Sequence, residues 1–283
     1  MILADPNELF KDGILLVLAP HMDDELLACG GTIALLEDKD RIHVIYATDG
    51  SRSPVPIFPW LARTSPDLAQ IRSDEAKAAL NILNIPERNL HFLGFPDGNL
   101  KDYPDELCQS LVQQIAKINP KFIFVPFRYD RHPDHIALYS AIRKAVDSHC
   151  SEAIVFEYFV YYRYRLLPGG DIRKFIYPEF LFTVAIGESS DLKLRALNCY
   201  QSQTTKAYKW QDRPILTRER VHEVSHLPEV FLQYDPNFRG SKVFVRGGNW
   251  IRFVHHVEPV LKQKKEALLE LLQFGKRLDG SEY

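Results

Sequence analysis

The chain has 283 residues, 46% of them hydrophobic and 25% charged, enough for one large α/β domain with additions or for two modest domains. With 35 basic residues against 37 acidic ones the net charge is −2, so no overall field draws it to nucleic acid or to an anionic membrane. No apolar run reaches the ~18–20 residues needed to cross a bilayer, and the opening residues Met-Ile-Leu-Ala-Asp-Pro lack the basic segment of a signal peptide.

The four cysteines (Cys29, Cys108, Cys150 and Cys199) are scattered, with no CxxC pair, which fits a reducing, cytoplasmic location. Residues 14–19 are a run of Leu and β-branched types that reads as a buried strand. It ends at Pro20-His21-Met22-Asp23-Asp24-Glu25, and a helix is expected over 26–37. Gly30 and Gly31 fall inside that helix at a cost of roughly 1 kcal/mol each against alanine, so close packing is expected there. A second strand is expected over 42–48, ended by Asp49-Gly50. Residues 51–66 hold Pro54, Pro56, Pro59 and Pro66 with Phe58 and Trp60, and a loop that long after a strand's carboxyl end reads as a lid.

Residues 67–83 have helical spacing, 90–95 suggest a third strand closed by Pro96-Asp97-Gly98, and 104–117 read as a helix. A fourth strand over 121–127 runs into Arg128-Tyr129-Asp130-Arg131-His132-Pro133-Asp134-His135, and a helix from Ile136 follows. This alternation implies an α/β fold, a Rossmann-like three-layer sandwich around a mostly parallel sheet. No G-x-G-x-x-G follows the first strand, which argues against a dinucleotide.

The second half is expected to hold strands over 154–162 and 180–186, and a helix over 191–200 entered from a Ser189-Ser190 cap. Residues 201–249 carry little assignable pattern, and 258–276 read as an amphipathic helix with Lys262, Lys264 and Lys265 on its solvated face. Residues 1–203 are taken as the core and 204–283 as an extension that shapes the pocket, within one continuous domain.

The chemistry gathers in the two His/Asp-rich loops. If their strands are parallel neighbours, both loops meet at the carboxyl edge of the sheet, where open α/β sheets place ligands. His21, Asp24 and His135 then form a three-ligand metal set with an open position for water. Asp23, beside a ligand but not one itself, suits a general base, and His132 a donor to a developing oxyanion. Asp130 and Asp134 would orient the imidazoles from behind. Taken alone, Asp23-Asp24-Glu25 reads equally well as acids that complement a helix N-terminus, and His132-Pro133-Asp134-His135 as a polar turn; together they supply what each lacks.

At these residues the sequence resembles the PIG-L/LmbE-like family of zinc-dependent N-deacetylases. His21-Met22-Asp23-Asp24-Glu25 matches its His-Pro-Asp-Asp-Glu motif with Met for Pro, and His132-Pro133-Asp134-His135 matches its second motif unchanged. Thr48-Asp49-Gly50, Arg72 with Glu75, Gly94-Phe95-Pro96-Asp97-Gly98 and Tyr200-Gln201-Ser202-Gln203 are weaker echoes, so the likeness covers about residues 13–203. The resemblance implies His21, Asp24 and His135 as ligands of one Zn2+ per chain (other divalent metals fit similar donors), Asp23 as base and His132 as oxyanion stabiliser. It also implies Arg72 and Asp97 on the substrate side, although Arg72 reads equally well as a surface ion pair with Glu75 (i, i+3).

The expected reaction is removal of an acetyl group from an N-acetylated amino sugar or GlcNAc-type conjugate. The alternatives are a zinc hydrolase of another amide or ester, or a catalytically silent sugar- or metal-binding protein. The expected partner is a small N-acetyl sugar, with no nucleic acid, no membrane, and homo-oligomerisation left open. Tyr158, Tyr161, Tyr162, Arg163 and Tyr164 read as a sugar-stacking cleft or, more simply, as a half-buried strand or subunit interface. His222, His226, His255 and His256 have no strand-loop context and read as ordinary polar positions.

Overall fold

Eight strands among the described residues pair into one sheet: β1 (Ile2–Leu3), β2 (Leu15–Ala19), β3 (Ile42–Thr48), β4 (Leu90–Phe95), β5 (Phe122–Pro126), β6 (Ile154–Tyr158), β7 (Leu181–Val184) and β8 (Glu229–Gln233). The computed structural model describes residues 2–53, 67–149, 153–208 and 211–233, with Val254 and Val257. The lid expectation with Phe58 and Trp60, Cys150, His255, His256 and the terminal helix with its lysines lie outside the described residues. The strand order is β1-β7-β8-β6-β5-β2-β3-β4. All pairings are parallel except those of β8, which runs antiparallel between β6 and β7.

The alternation of side chains along each strand splits the core into two layers. Leu15, Val17 and Ala19 of β2 and Phe122 and Phe124 of β5 point into one cluster. It is covered by α2 (Asp24–Leu35), α3 (Leu68–Ile82) and α6 (Ser190–Leu197). Leu16, Leu18, Ile123 and Val125 point the other way, against α4 (Pro104–Ile118) and α5 (Pro133–His149). Each central strand is therefore apolar on both faces, which is why the runs carry no polar alternation.

β2 pairs directly with β5, Leu15 opposite Phe122 and Val17 opposite Phe124. The chain winds outward from β2 through β3 to β4, then crosses back to β5 on the other side of β2. The sheet's switch point, where such sheets bind ligands, lies between the two His/Asp-rich loops.

Several boundaries differ from the expected ones for local reasons. Helix α2 starts at Asp24, because the Asp23 carbonyl accepts from Leu26 N–H (3.1 Å) and Leu27 N–H (2.9 Å). Helix α5 starts at Pro133, where a missing N–H is harmless. The strand expected over 154–162 stops at Tyr158, and the one over 180–186 shortens to Leu181–Val184. Ser189 does not cap with its side chain; its Oγ donates to Gly31 O at 3.0 Å instead. The stretch after 200 holds α7 (Gln201–Thr204), α8 (Arg218–His226) and β8, so residues beyond 203 complete the sheet that the first part builds. Among the described residues no helix is long and apolar enough to cross a membrane.

Gly31 has a packing reason. A Cβ there would sit 2.5 Å from Ile186 Cγ2, so only glycine lets α2 lie this close to the segment after β7.

Candidate metal centre

The first loop is held from three sides. Thr48, ending β3, donates to Pro20 O through both its N–H (3.0 Å) and its Oγ1 (2.8 Å). Arg72 of α3 donates from Nη2 to Met22 O. Glu25, wholly buried, accepts from Asp23 N–H at 3.1 Å and from the Tyr200 hydroxyl. Between these holds Asp23 adopts φ 141° and ψ −25°, a conformation that costs a non-glycine residue about 1–3 kcal/mol. The neighbours impose that strain on the residue whose side chain was expected to act as base.

The expected ligand atoms converge. Asp24 Oδ2 lies 3.1 Å from His21 Nδ1 and 3.1 Å from His135 Nε2. Two donors around a zinc ion at ~2.0 Å would stand about 3.3 Å apart, so the separation of Asp24 from each imidazole suits a shared divalent ion. The opposite ring nitrogens face carboxylates. His21 Nε2 is 3.1 Å from Asp134 Oδ2 and 3.3 Å from Asp97 Oδ1, and His135 Nδ1 is 3.3 Å from Asp130 Oδ2. A carboxylate behind each imidazole fixes the tautomer that turns a lone pair toward a metal. His135 is fully buried and neither of its nitrogens has a hydrogen bond of acceptable geometry, the state expected of a side chain built for another partner.

The electrostatics agree. Burial alone would lower His21, but its hydrogen bonds to the carboxylates of Asp134, Asp24 and Asp97 outweigh it and hold the imidazole well above its ordinary range. Burial likewise opposes the charge on His135, yet Asp24 and Asp130 raise it to about 9. Burial would raise Asp24 and Asp97; the two imidazoles hold Asp24 far down, and His21 holds Asp97 near 2. These carboxylates favour positive charge at their centre, whether as ring protons or as a cation.

Asp23 is different: burial pushes it up to about 7, against the pull of the Arg72 guanidinium 3.7 Å away. His132 moves down to about 4, first through burial and then through the neighbouring imidazoles. It is therefore neutral near pH 7. Its Nδ1 accepts from Asp134 N–H at 3.3 Å, which leaves the proton on Nε2 as a donor. His21, His132 and His135 each bring a ring nitrogen within 4.8 Å of the other two; Asp97 and Asp134 lie as close around His21.

Some placements depart from expectation. Asp97 is buried behind His21, its second oxygen accepting from Arg52 N–H at 3.0 Å, and does not line an open substrate surface. Arg72 is 1% exposed, so the surface ion pair with Glu75 is absent; Glu75 accepts instead from Ser202 N–H (2.7 Å) and Oγ (2.6 Å). Gly50 makes room for it: at φ 65°, a Cβ there would lie 2.9 Å from Arg72 Cδ.

Of the tyrosines, only Tyr161 faces the centre, its ring 5.4 Å from that of His135. Tyr158, Tyr162 and Tyr164 are buried, and Tyr158 donates to Leu18 O at 2.7 Å. His222 and His226 stack on each other on α8, away from the centre. Glu25 and Tyr200 carry no role in the sequence reading beyond their places in the first motif and in the Tyr200-Gln201-Ser202-Gln203 echo; the structure joins them by a hydrogen bond beneath Asp23.

The profile of the PIG-L family, GlcNAc-PI de-N-acetylase, matches residues 16–146, from β2 into α5, and so takes in both loops. "Probable N-acetyl-alpha-D-glucosaminyl L-malate deacetylase 2" of Bacillus cereus is 31% identical over 200 residues, 67% of this chain and 83% of that one. The chain belongs to the PIG-L family. Diacetylchitobiose deacetylase of Thermococcus kodakarensis is 34% identical over 135 residues, 46% of this chain and 48% of the relative, so that match spans about half the relative's length. N,N'-diacetylchitobiose deacetylase from Pyrococcus horikoshii shares the fold, with a TM-score of 0.62 at 20% identity over 83% of this chain and 88% of that chain. These relatives are named deacetylases, hydrolases of an N-acetyl amide bond.

Proposed function

We propose that this PIG-L member is a zinc-dependent N-deacetylase that hydrolyses the acetamide of an N-acetylated amino sugar or GlcNAc-type conjugate. The observation that carries the reading is the convergence of His21 Nδ1, Asp24 Oδ2 and His135 Nε2, with carboxylates behind both imidazoles and Asp23 beside them. The names of the relatives support the reaction class. His21, Asp24 and His135 would hold the zinc ion, which would supply Lewis acidity toward the acetamide carbonyl and toward a water molecule.

The chain's own residues supply the rest. Asp23 accepts a proton from the attacking water, and a carboxyl raised to about 7 by burial is matched to that transfer near neutral pH. His132 donates from Nε2 to the carbonyl oxygen as negative charge develops on it. Asp23 then returns the proton to the departing nitrogen; the water oxygen stays on the acetyl carbon, the C–N bond breaks, and acetate and an amine leave. Asp130 and Asp134 keep the imidazoles oriented, and Arg72 serves the substrate indirectly, by holding the loop that carries Asp23. The reading extends to a single continuous domain and to a cytoplasmic enzyme, the latter supported by the free thiols of Cys29, Cys108 and Cys199.

The test is acetate release from a panel of N-acetylhexosamines and their conjugates by zinc-loaded and chelated enzyme. The zinc-loaded form is expected to turn over and the chelated form not. Asp23→Asn is expected to keep its metal and lose about 10²–10⁴ in kcat. Near-normal turnover by that variant would remove Asp23 from the mechanism, and a metal-loaded enzyme that releases no acetate from any substrate would refute the deacetylase reading.

A further inference from the structure

Of the segment Tyr200-Gln201-Ser202-Gln203, the site described above uses only Tyr200, beneath Asp23. Its last residue reaches the metal centre by another route. Gln203 is 1% exposed, and its side-chain amide is engaged at both ends. The nitrogen donates to Ser53 O and to Ser202 Oγ, each at 3.1 Å, and Oε1 accepts from Ser53 Oγ at 3.3 Å. Both N–H donors of the amide are thus spent, and Ser53, which takes one of them and returns its own hydroxyl, lies 150 positions away in sequence.

The backbone beneath the amide is itself fixed. Gln203 N–H donates to Tyr200 O at 3.0 Å and its carbonyl accepts from Leu216 N–H at 2.9 Å. Ser202 is tied to Glu75 of α3 through N–H (2.7 Å) and Oγ (2.6 Å). Ser53 therefore meets a rigid partner, and it needs one. Residues 49–53 leave the end of β3 as irregular turns, in no helix or strand. Ser51 N–H closes on Asp49 Oδ1 (3.0 Å) and Arg52 N–H donates to Asp97 Oδ2 (3.0 Å). Backbone without ladder partners keeps its place only through such contacts.

Asp97 is the link to the centre. Its other oxygen, Oδ1, stands 3.3 Å from His21 Nε2, beside Asp134 Oδ2 at 3.1 Å. Asp134 has two further anchors, Gly98 N–H (2.8 Å) and Leu100 N–H (3.0 Å). Among the described residues Asp97 has Arg52 N–H alone to turn its carboxylate toward the imidazole. Carboxylates behind an imidazole set the ring's angle and the basicity of its far nitrogen, here Nδ1, which faces Asp24.

We propose that Gln203 is a positioning residue of the metal centre. By clamping Ser53 it holds Arg52 N–H on Asp97, and through Asp97 it sets the ring of His21 to receive a metal ion. This role presupposes His21 as a metal ligand, as in the reading above, but no turnover.

The test is the zinc affinity of the full chain, read by competition with a chromogenic chelator, with thermal unfolding measured alongside. Gln203→Met keeps the side chain's volume and removes its three hydrogen bonds. Its zinc affinity is expected to fall about tenfold, and that of Asp97→Asn by about 10–100-fold. The double variant is expected to bind zinc within about twofold of Asp97→Asn, because both changes act on one route. Ser53→Ala leaves the buried amide in place, serves if Gln203→Met does not fold, and should lose about threefold. Leu111→Ala, a core truncation under α4 far from this route, should lower Tm with zinc affinity unchanged. Parent-like zinc affinity in the folded variants of Gln203 and Ser53 overturns the proposal, as does full additivity with Asp97→Asn. An equal loss of affinity in Leu111→Ala also overturns it, since general loosening would then account for the effect. A parent chain that takes up no zinc refutes the ligand set itself, and this role with it.

Discussion

Glu229 and Lys193 form an ion pair buried beneath α2, and breaking it gives a sharp test of how the fold holds its site. Lys193 Nζ is 2.6 Å from Glu229 Oε1, and both side chains are almost wholly buried, at 0% and 3% exposure. The same carboxylate accepts from Gly31 N–H (2.7 Å), Thr32 N–H (2.8 Å) and Thr32 Oγ1 (2.6 Å), and Lys193 also donates to Leu27 O at 3.2 Å. One network therefore ties β8, α6 and the helix that begins with Asp24. Glu229→Gln keeps the shape but strands the buried ammonium and turns an amide N–H2 toward donors. Removing one partner of a buried pair costs about 3–5 kcal/mol. For a chain of this length that lowers Tm by roughly 5–10 °C. Thermal unfolding followed by circular dichroism reads the shift. Lys193→Met and the double variant complete a cycle in which the double loss should fall short of the summed single losses by about 0.5–3 kcal/mol. A shift below about 2 °C for Glu229→Gln, or strict additivity, would show that the two groups are not coupled in the folded chain.

Three further outcomes are expected. Asp24→Asn should lose bound metal at equal protein concentration, because one oxygen serves both imidazoles; metal content measured by atomic emission checks it, and full occupancy would remove Asp24 from the ligand set. Glu25→Gln and Tyr200→Phe loosen the strained Asp23 peptide, and should lower kcat by up to about a hundredfold with the metal retained; unchanged steady-state kinetics would show that the strain does no catalytic service. His43 and His91 stack 5.5 Å apart on β3 and β4, and burial lowers both below the usual imidazole value, helped at His43 by His91 and Arg88 and at His91 by Lys117. Below pH 6.5 the unfolded chain therefore binds more protons than the folded one, so stability present above pH 6.5 is lost as the pH falls through the folded values. A His43→Gln/His91→Gln variant should lose less Tm between pH 7.5 and 5 than the parent, and parallel curves would contradict the linkage.

The parts legible in the sequence were those with local causes. β3 and β4 run over the expected residues, because each run of β-branched and aromatic types ends at a turn signal, Asp49-Gly50 and Pro96-Asp97-Gly98. The two loops announced their chemistry because imidazoles and carboxylates, costly to bury, crowd into a few residues between strand and helix. Glu229–Gln233 gave no such notice: five residues acquire their role as β8 only by fitting antiparallel between β6 and β7. Arg72 looks like a surface cation on a helix with a charged face, and only the approach of Gly50 and Met22 buries it.

The tyrosines make the same point. Tyr161 and Tyr162 are neighbours in sequence, yet one faces the imidazoles and the other packs beneath Arg173. Sequence by itself determined most of the elements of the first half, the mostly parallel character of the sheet and the two donor-rich loops, since periodicity, turn chemistry and donor type are properties of short segments. Only the tertiary structure decided which carboxylate stands behind which imidazole, and that Asp97 supports His21. Those outcomes depend on strands far apart in the chain pairing side by side, and no local signal encodes that pairing.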